Sequence, residues 1–141
     1  MRKNKAVRLV FDTNVFISAY LAGKFEGVAQ LVFRHDVFIY TCDELLEELE
    51  RNFNDLRIRK LLKDSPESII ANIKKITRHT TIDLRFDRAA DLKDNFLFDL
   101  AYSVKAGFLV TFEKKLQNMK HVGEIEIVSP SALFQMLGEK W

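Results

Sequence analysis

Cysteine is almost absent from this sequence of 141 residues: Cys42 stands alone. A lone cysteine excludes an internal disulfide and a cysteine-built zinc site. Histidine is sparse too, and His35, His79 and His121 lack the close spacing of a metal-binding pair. With two prolines and five glycines, the chain shows no linker, low-complexity tract or internal repeat. No apolar run approaches the roughly 20 residues needed to cross a bilayer. The basic opening Met1-Arg2-Lys3-Asn4-Lys5 is parted from Arg8 only by Ala6-Val7. That leaves no apolar region of a secretory signal, and a cytoplasmic location without membrane contact is expected. A large charge excess is also missing: the net charge of +2 does not by itself announce nucleic acid.

What is present is the material of an ordinary globule, 48% hydrophobic and 30% charged, expected to form one domain over residues 1–141. The charge is uneven. Between Arg51 and Arg78 eight Lys/Arg face three acids. That surplus reads either as a solvated helical face or as a surface that attracts phosphates.

Apolar periodicity orders the chain. Strands are expected at 7–11, 37–40, 108–111 and 124–128, with 80–84 an ambiguous fifth. Helices are expected at 14–21, 27–33, after a cap at Asp43, at 56–62, after Ser65-Pro66-Glu67, at 94–105, near 114–118, and from Ser129-Pro130 to 137. Strands alternating with helices argue for an α/β fold, a small parallel sheet covered by helices on both faces.

In such sheets ligands collect beyond the carboxyl ends of the strands. Asp12 follows the first strand at once, in "LVFDTNVFISAY", and Glu113 stands two residues past the strand 108–111. Two further acids are placed by helical angle, at about 100° per residue. With Leu97 at zero, Asp94 falls near 60°, within the apolar arc, and Asp99 near 200°, toward water. Asp94 at a helix start also suits a cap, which periodicity alone favours, and Asp91 could share either task. After Asp43, Glu48 and Glu50 flank the apolar arc on opposite sides, and angle does not choose between them. If Asp12, Glu48, Asp94 and Glu113 converge, each pair at about 4 Å repels by roughly 4 kcal/mol at an effective dielectric of 20. Such a cluster calls for protons or for a hard cation, Mg²⁺ or Mn²⁺. A carboxylate-held ion of that kind suits phosphodiester hydrolysis.

The segments "VFDTN" (10–14), "CDELLEEL" (42–49), "DLKDNFLFDLA" (91–101) and "FLVTFEKKL" (108–116) together resemble a PIN domain of the prokaryotic toxin–antitoxin ribonuclease type. The resemblance spans residues 7 to about 130. It implies a three-layer α/β/α sandwich and a Mg²⁺- or Mn²⁺-dependent ribonuclease acting on single-stranded RNA. Asp12, Glu48 and Asp94 are then the metal-binding acids, with Asn14 and Thr111 as polar supports. It also implies a homodimer or larger homo-oligomer and, for a toxin, a cognate antitoxin as partner. One departure stands out. Where the family usually reads Thr-Gly-Asp, this chain reads Thr111-Phe112-Glu113. Glutamate keeps the charge one methylene further out and phenylalanine removes a glycine's backbone freedom, which leaves open whether Glu113 is a ligand.

Two other classes compete. A catalytically impaired PIN-like module could bind RNA or a protein. A haloacid-dehalogenase-like phosphatase needs Asp-x-Asp, and here Asn14 holds the second place. Phe16, Tyr20 and Phe33 are candidates for a subunit contact.

Overall fold

The computed structural model describes residues 6–82 and 95–141. At its centre is a six-stranded sheet in the order β3-β2-β1-β4-β6-β5. The strands are β1 (Val7–Phe11), β2 (Val37–Thr41), β3 (Thr77–His79), β4 (Phe108–Val110), β5 (His121–Val122) and β6 (Ile125–Val128). All neighbouring pairs are parallel except β5 with β6. Leu9, Val10 and Phe11 are each fully buried, as expected for a central strand covered on both faces.

Among the described residues eight helices join or follow the strands: α1 (Thr13–Leu21), α2 (Phe25–Arg34), α3 (Asp43–Asn54), α4 (Leu56–Arg59), α5 (Pro66–Ile76), α6 (Asn95–Ser103), α7 (Lys114–Gln117) and α8 (Pro130–Met136). Helices α2 and α5 pack beside β2 and β3, and α6 packs on β1 and β4. The result is the expected α/β/α sandwich. Local chemistry explains two of the starts. The Ser65 and Ser129 hydroxyls accept from the backbone N–H groups of Ser68 and Ala132, each at 3.1 Å, and a proline follows each cap.

Several expectations need correction. The third strand is Thr77–His79, at the end of α5, while residues 80–82 carry no regular structure. The Thr80 N–H prolongs the ladder by one bond, donating to the Thr41 carbonyl at 2.8 Å. Strand β5 is a two-residue antiparallel addition turned by Gly123 at φ +61°, too short for any periodicity to reveal. Asp43 does not cap α3: it is the first helical residue, and its carboxylate meets His79 instead. Helix α6 stops at Ser103, and Lys105, at φ 55°, takes the left-handed turn expected of a glycine. Asp99 is buried, because α6 is covered by the sheet and also touches α3. A helix covered on two sides buries residues outside its single most apolar arc. Phe16 is fully buried and packs on Phe11, so it lines no subunit contact.

Parallel register sets the functional rim. Val10 lies beside Tyr40 and Leu109, and Tyr40 beside Arg78. The ends of β1, β2, β3 and β4 therefore open on one edge of the sheet.

Candidate active site

Asp12 leaves β1 at this edge and occupies the N-cap position of α1. Its N–H still belongs to the sheet, donating to the Val110 carbonyl at 2.9 Å. Its carbonyl accepts from Val15 at 2.9 Å, which starts the helix. Only 7% of the residue is exposed. Burial pushes its carboxyl above the usual aspartate value. The Thr111 hydroxyl pulls the other way, and the charges of Glu113 and Glu48 push it up further. An acid facing two like charges in a desolvated place is costly to ionise unless a cation joins it.

Thr111 continues from β4. Fully buried, its hydroxyl donates to Asp12 Oδ2 at 2.8 Å and accepts from the Glu113 N–H at 3.0 Å. Its own N–H donates to the Val128 carbonyl at 3.0 Å, and Gln117 Nε2 donates to its carbonyl at 2.7 Å. Thr111 is thus held from every side. Glu113 follows at the N-cap position of α7, half-buried, with its charge reaching Asp12.

Glu48 comes from α3, which packs along α1. Half-buried, it accepts a hydrogen bond from the Thr13 hydroxyl, and its carbonyl accepts from Asn52 Nδ2 at 2.8 Å. Glu50, its rival by helical angle, is exposed. Asn14 is exposed in the first turn of α1. Asp94, with Asp91, lies outside the described residues.

Sequence reasoning missed Thr13. Buried in the first turn of α1, it ties Glu48 to the residue next to Asp12. A hydroxyl directly after the strand-ending acid was the available signal. Trp141 was missed as well. Its ring packs on Phe112 and Phe134, with centroids 6.0 and 5.2 Å apart, and Lys24 Nζ donates to its backbone oxygen at 2.7 Å.

Among the described residues no three His, Cys, Asp or Glu side chains gather closely enough to hold a metal ion. The charges that act on Asp12, those of Glu113 and Glu48, are carboxylates like its own, the preferred ligands of a hard divalent cation. The burial and like charge that raise the Asp12 carboxyl are what a doubly positive ion relieves. In chemical kind, the residues present fit such an ion.

A PIN domain family model matches residues 8–115, which include Asp12, Glu48, Thr111 and Glu113. An uncharacterized protein of Methanocaldococcus jannaschii is 26% identical over 121 residues, covering 81% of this chain and 76% of its own length.

Proposed function

The chain belongs to the PIN domain family, and from that premise we propose that it is a metal-dependent endoribonuclease cleaving single-stranded RNA. PIN domains are generally nucleases, and they typically use divalent metals. The observation that carries the reading is Asp12: a buried carboxyl at the end of the central strand, facing the charges of Glu113 and Glu48.

Asp12, Glu48 and Asp94 would hold Mg²⁺ or Mn²⁺, with Glu113 beside them. Such an ion polarises phosphoryl oxygens and lowers the pKa of water, the chemistry that phosphodiester hydrolysis needs. The protein's own groups prepare the place. The Thr111 hydroxyl fixes one oxygen of Asp12, and the Thr13 hydroxyl fixes one of Glu48. Both carboxylates are therefore oriented before substrate arrives. The eight Lys/Arg between Arg51 and Arg78 are all exposed, and they attract the negative strand toward the acidic rim. The likeness to toxin–antitoxin ribonucleases extends the reading to the toxin of such a pair, a cytoplasmic homo-oligomer silenced by its antitoxin.

Purified protein with Mn²⁺ is expected to cleave single-stranded RNA, and Asp12→Asn to abolish cleavage. Wild-type activity in that variant refutes the assignment. A second reading, a PIN-like module that binds RNA or a protein without cutting, is favoured by Phe112-Glu113, which stands where the family usually reads Gly-Asp. It predicts neither cleavage nor a Mn²⁺-binding heat that disappears in Asp12→Asn.

A further inference from the structure

Two strands from Asp12, the same rim carries a second constellation that the acidic site does not use. His79 ends β3 and Asp43 begins α3, and His79 Nε2 lies 2.7 Å from Asp43 Oδ1. The pair forms one wall of a pocket of about 360 Å³ lined by Thr41, Asp43, Leu46, Lys74, Thr77 and His79, within the usual size range of small-ligand sites.

Its walls are fixed by the backbone around them. The Thr80 N–H donates to the Thr41 carbonyl at 2.8 Å, and the Thr77 hydroxyl donates to the Ile73 carbonyl at 2.8 Å. The contact of Nε2 with the Asp43 carboxylate orients the imidazole ring and leaves Nδ1 as its second polar atom. Three chemistries thus meet in one pocket: an oriented aromatic ring, the apolar side of Leu46, and the ammonium of Lys74. A nucleotide has matching parts in its base and its phosphate.

Strand alternation separates this pocket from the general basic surface. Thr77 and His79 share one face of β3, while Arg78 points to the other and lies over the Phe38 ring, 3.9 Å from its centroid. Strands two apart are separated by about 10 Å, so the pocket stands close enough to the acidic rim to take a neighbour of the phosphodiester held there.

We propose that the pocket between β2, β3, α3 and α5 is a nucleotide subsite. The base flanking the scissile phosphodiester stacks on His79, held by Asp43, and its phosphate pairs with Lys74. The proposal rests on the ribonuclease reading for its ligand but not for its measurement.

The test is binding without cleavage. A labelled single-stranded oligoribonucleotide is titrated with protein in EDTA, and anisotropy gives the affinity. His79→Ala is expected to weaken binding about 5- to 100-fold, the loss of one base stack. His79→Phe, which keeps a ring, is expected to recover most of it. Lys74→Ala weakens binding more than Arg78→Ala, although each removes one positive charge. An abasic position walked along the RNA weakens wild-type binding at one place and leaves His79→Ala binding unchanged there. Equal affinity of wild type, His79→Ala and Lys74→Ala overturns the subsite. If that equality comes with Mn²⁺-dependent cleavage, the nuclease reading survives it. Binding that is sensitive to His79 but without cleavage supports the subsite and removes the nuclease. A wild type that neither binds nor cleaves the RNA overturns both.

Discussion

Thr111→Val tests whether the hydroxyl beside Asp12 holds an ionised group. Valine keeps the branched shape in a fully buried position, so the change removes two hydrogen bonds and little packing. The bond to Asp12 Oδ2, at 2.8 Å, is of the kind worth about 1.5–3 kcal/mol when the acceptor is charged. The Glu113 N–H, which donates to the same hydroxyl at 3.0 Å, loses its acceptor at a cost of about 1 kcal/mol. The sum is about 2.5–4 kcal/mol. For 141 residues the unfolding entropy is about 0.3 kcal/mol/K, so Tm should fall by about 8–13 °C. Thr111→Ser keeps both bonds and removes one methyl, a loss of about 1 kcal/mol or about 3 °C. The pH dependence carries its own sign. Thr111 lowers the Asp12 carboxyl, so the variant raises it further. The two proteins then diverge as pH rises through the wild-type value, with the larger gap at pH 7 than at pH 4. Thermal unfolding of both variants in EDTA, followed by circular dichroism, measures this. A Thr111→Val cost no greater than that of Thr111→Ser, or one equal at the two pH values, refutes the reasoning.

Two further outcomes follow from the same electrostatics. Because the folded Asp12 carboxyl lies above its unfolded value of 3.8, its ionisation disfavours the native state, a loss that grows as pH rises through the folded value. Asp12→Asn should therefore raise Tm at pH 7 in EDTA, with the gain vanishing below about pH 4, and should lose any Mn²⁺-induced rise in Tm. Loss of stability at pH 7 in that variant contradicts the sign. Burial pushes the Cys42 thiol up to about 11, so a thiol reagent at pH 8 should modify it only as fast as the chain unfolds. Fast labelling of the native protein rules that environment out.

The central strands and most helices were legible because burial on both sides writes an unbroken apolar run, as in Leu9-Val10-Phe11, and because Ser65-Pro66 and Ser129-Pro130 state their own caps. Parallel topology then placed Asp12 and Glu113 on one edge, while Thr111 came from the family resemblance alone. What stayed hidden had long-range causes. Asp43 looks like a cap until β3 brings His79 beside it, and their separation of 36 residues leaves no local trace. Asp99 looks solvated until a second layer covers its helix. Glu48 and Glu50 are equivalent by angle, and only the packing of α3 on α1 brings a Thr13 hydroxyl to one of them.

Phe112 shows how a departure from a family pattern gains meaning from a distant partner. Glycine's special backbone is not needed at this place: Lys105 and Lys120 are the non-glycine residues of positive φ among those described, so phenylalanine enters the turn without strain there. Its ring instead meets Trp141, which also packs on Phe134 and lies 5.7 Å from Lys24 Nζ. Aromatic pairs of this kind contribute about 0.5–1.5 kcal/mol each beyond the area they bury. The loop is thereby tied from outside by Trp141 and from inside by Gln117, whose Nε2 donates to the Thr111 carbonyl. Glu113 then stands on a fixed base, and its extra methylene alters the reach of the charge while the charge still acts on Asp12. The change from Gly-Asp to Phe-Glu thus alters what holds the loop and preserves the sign of what the loop presents to the site.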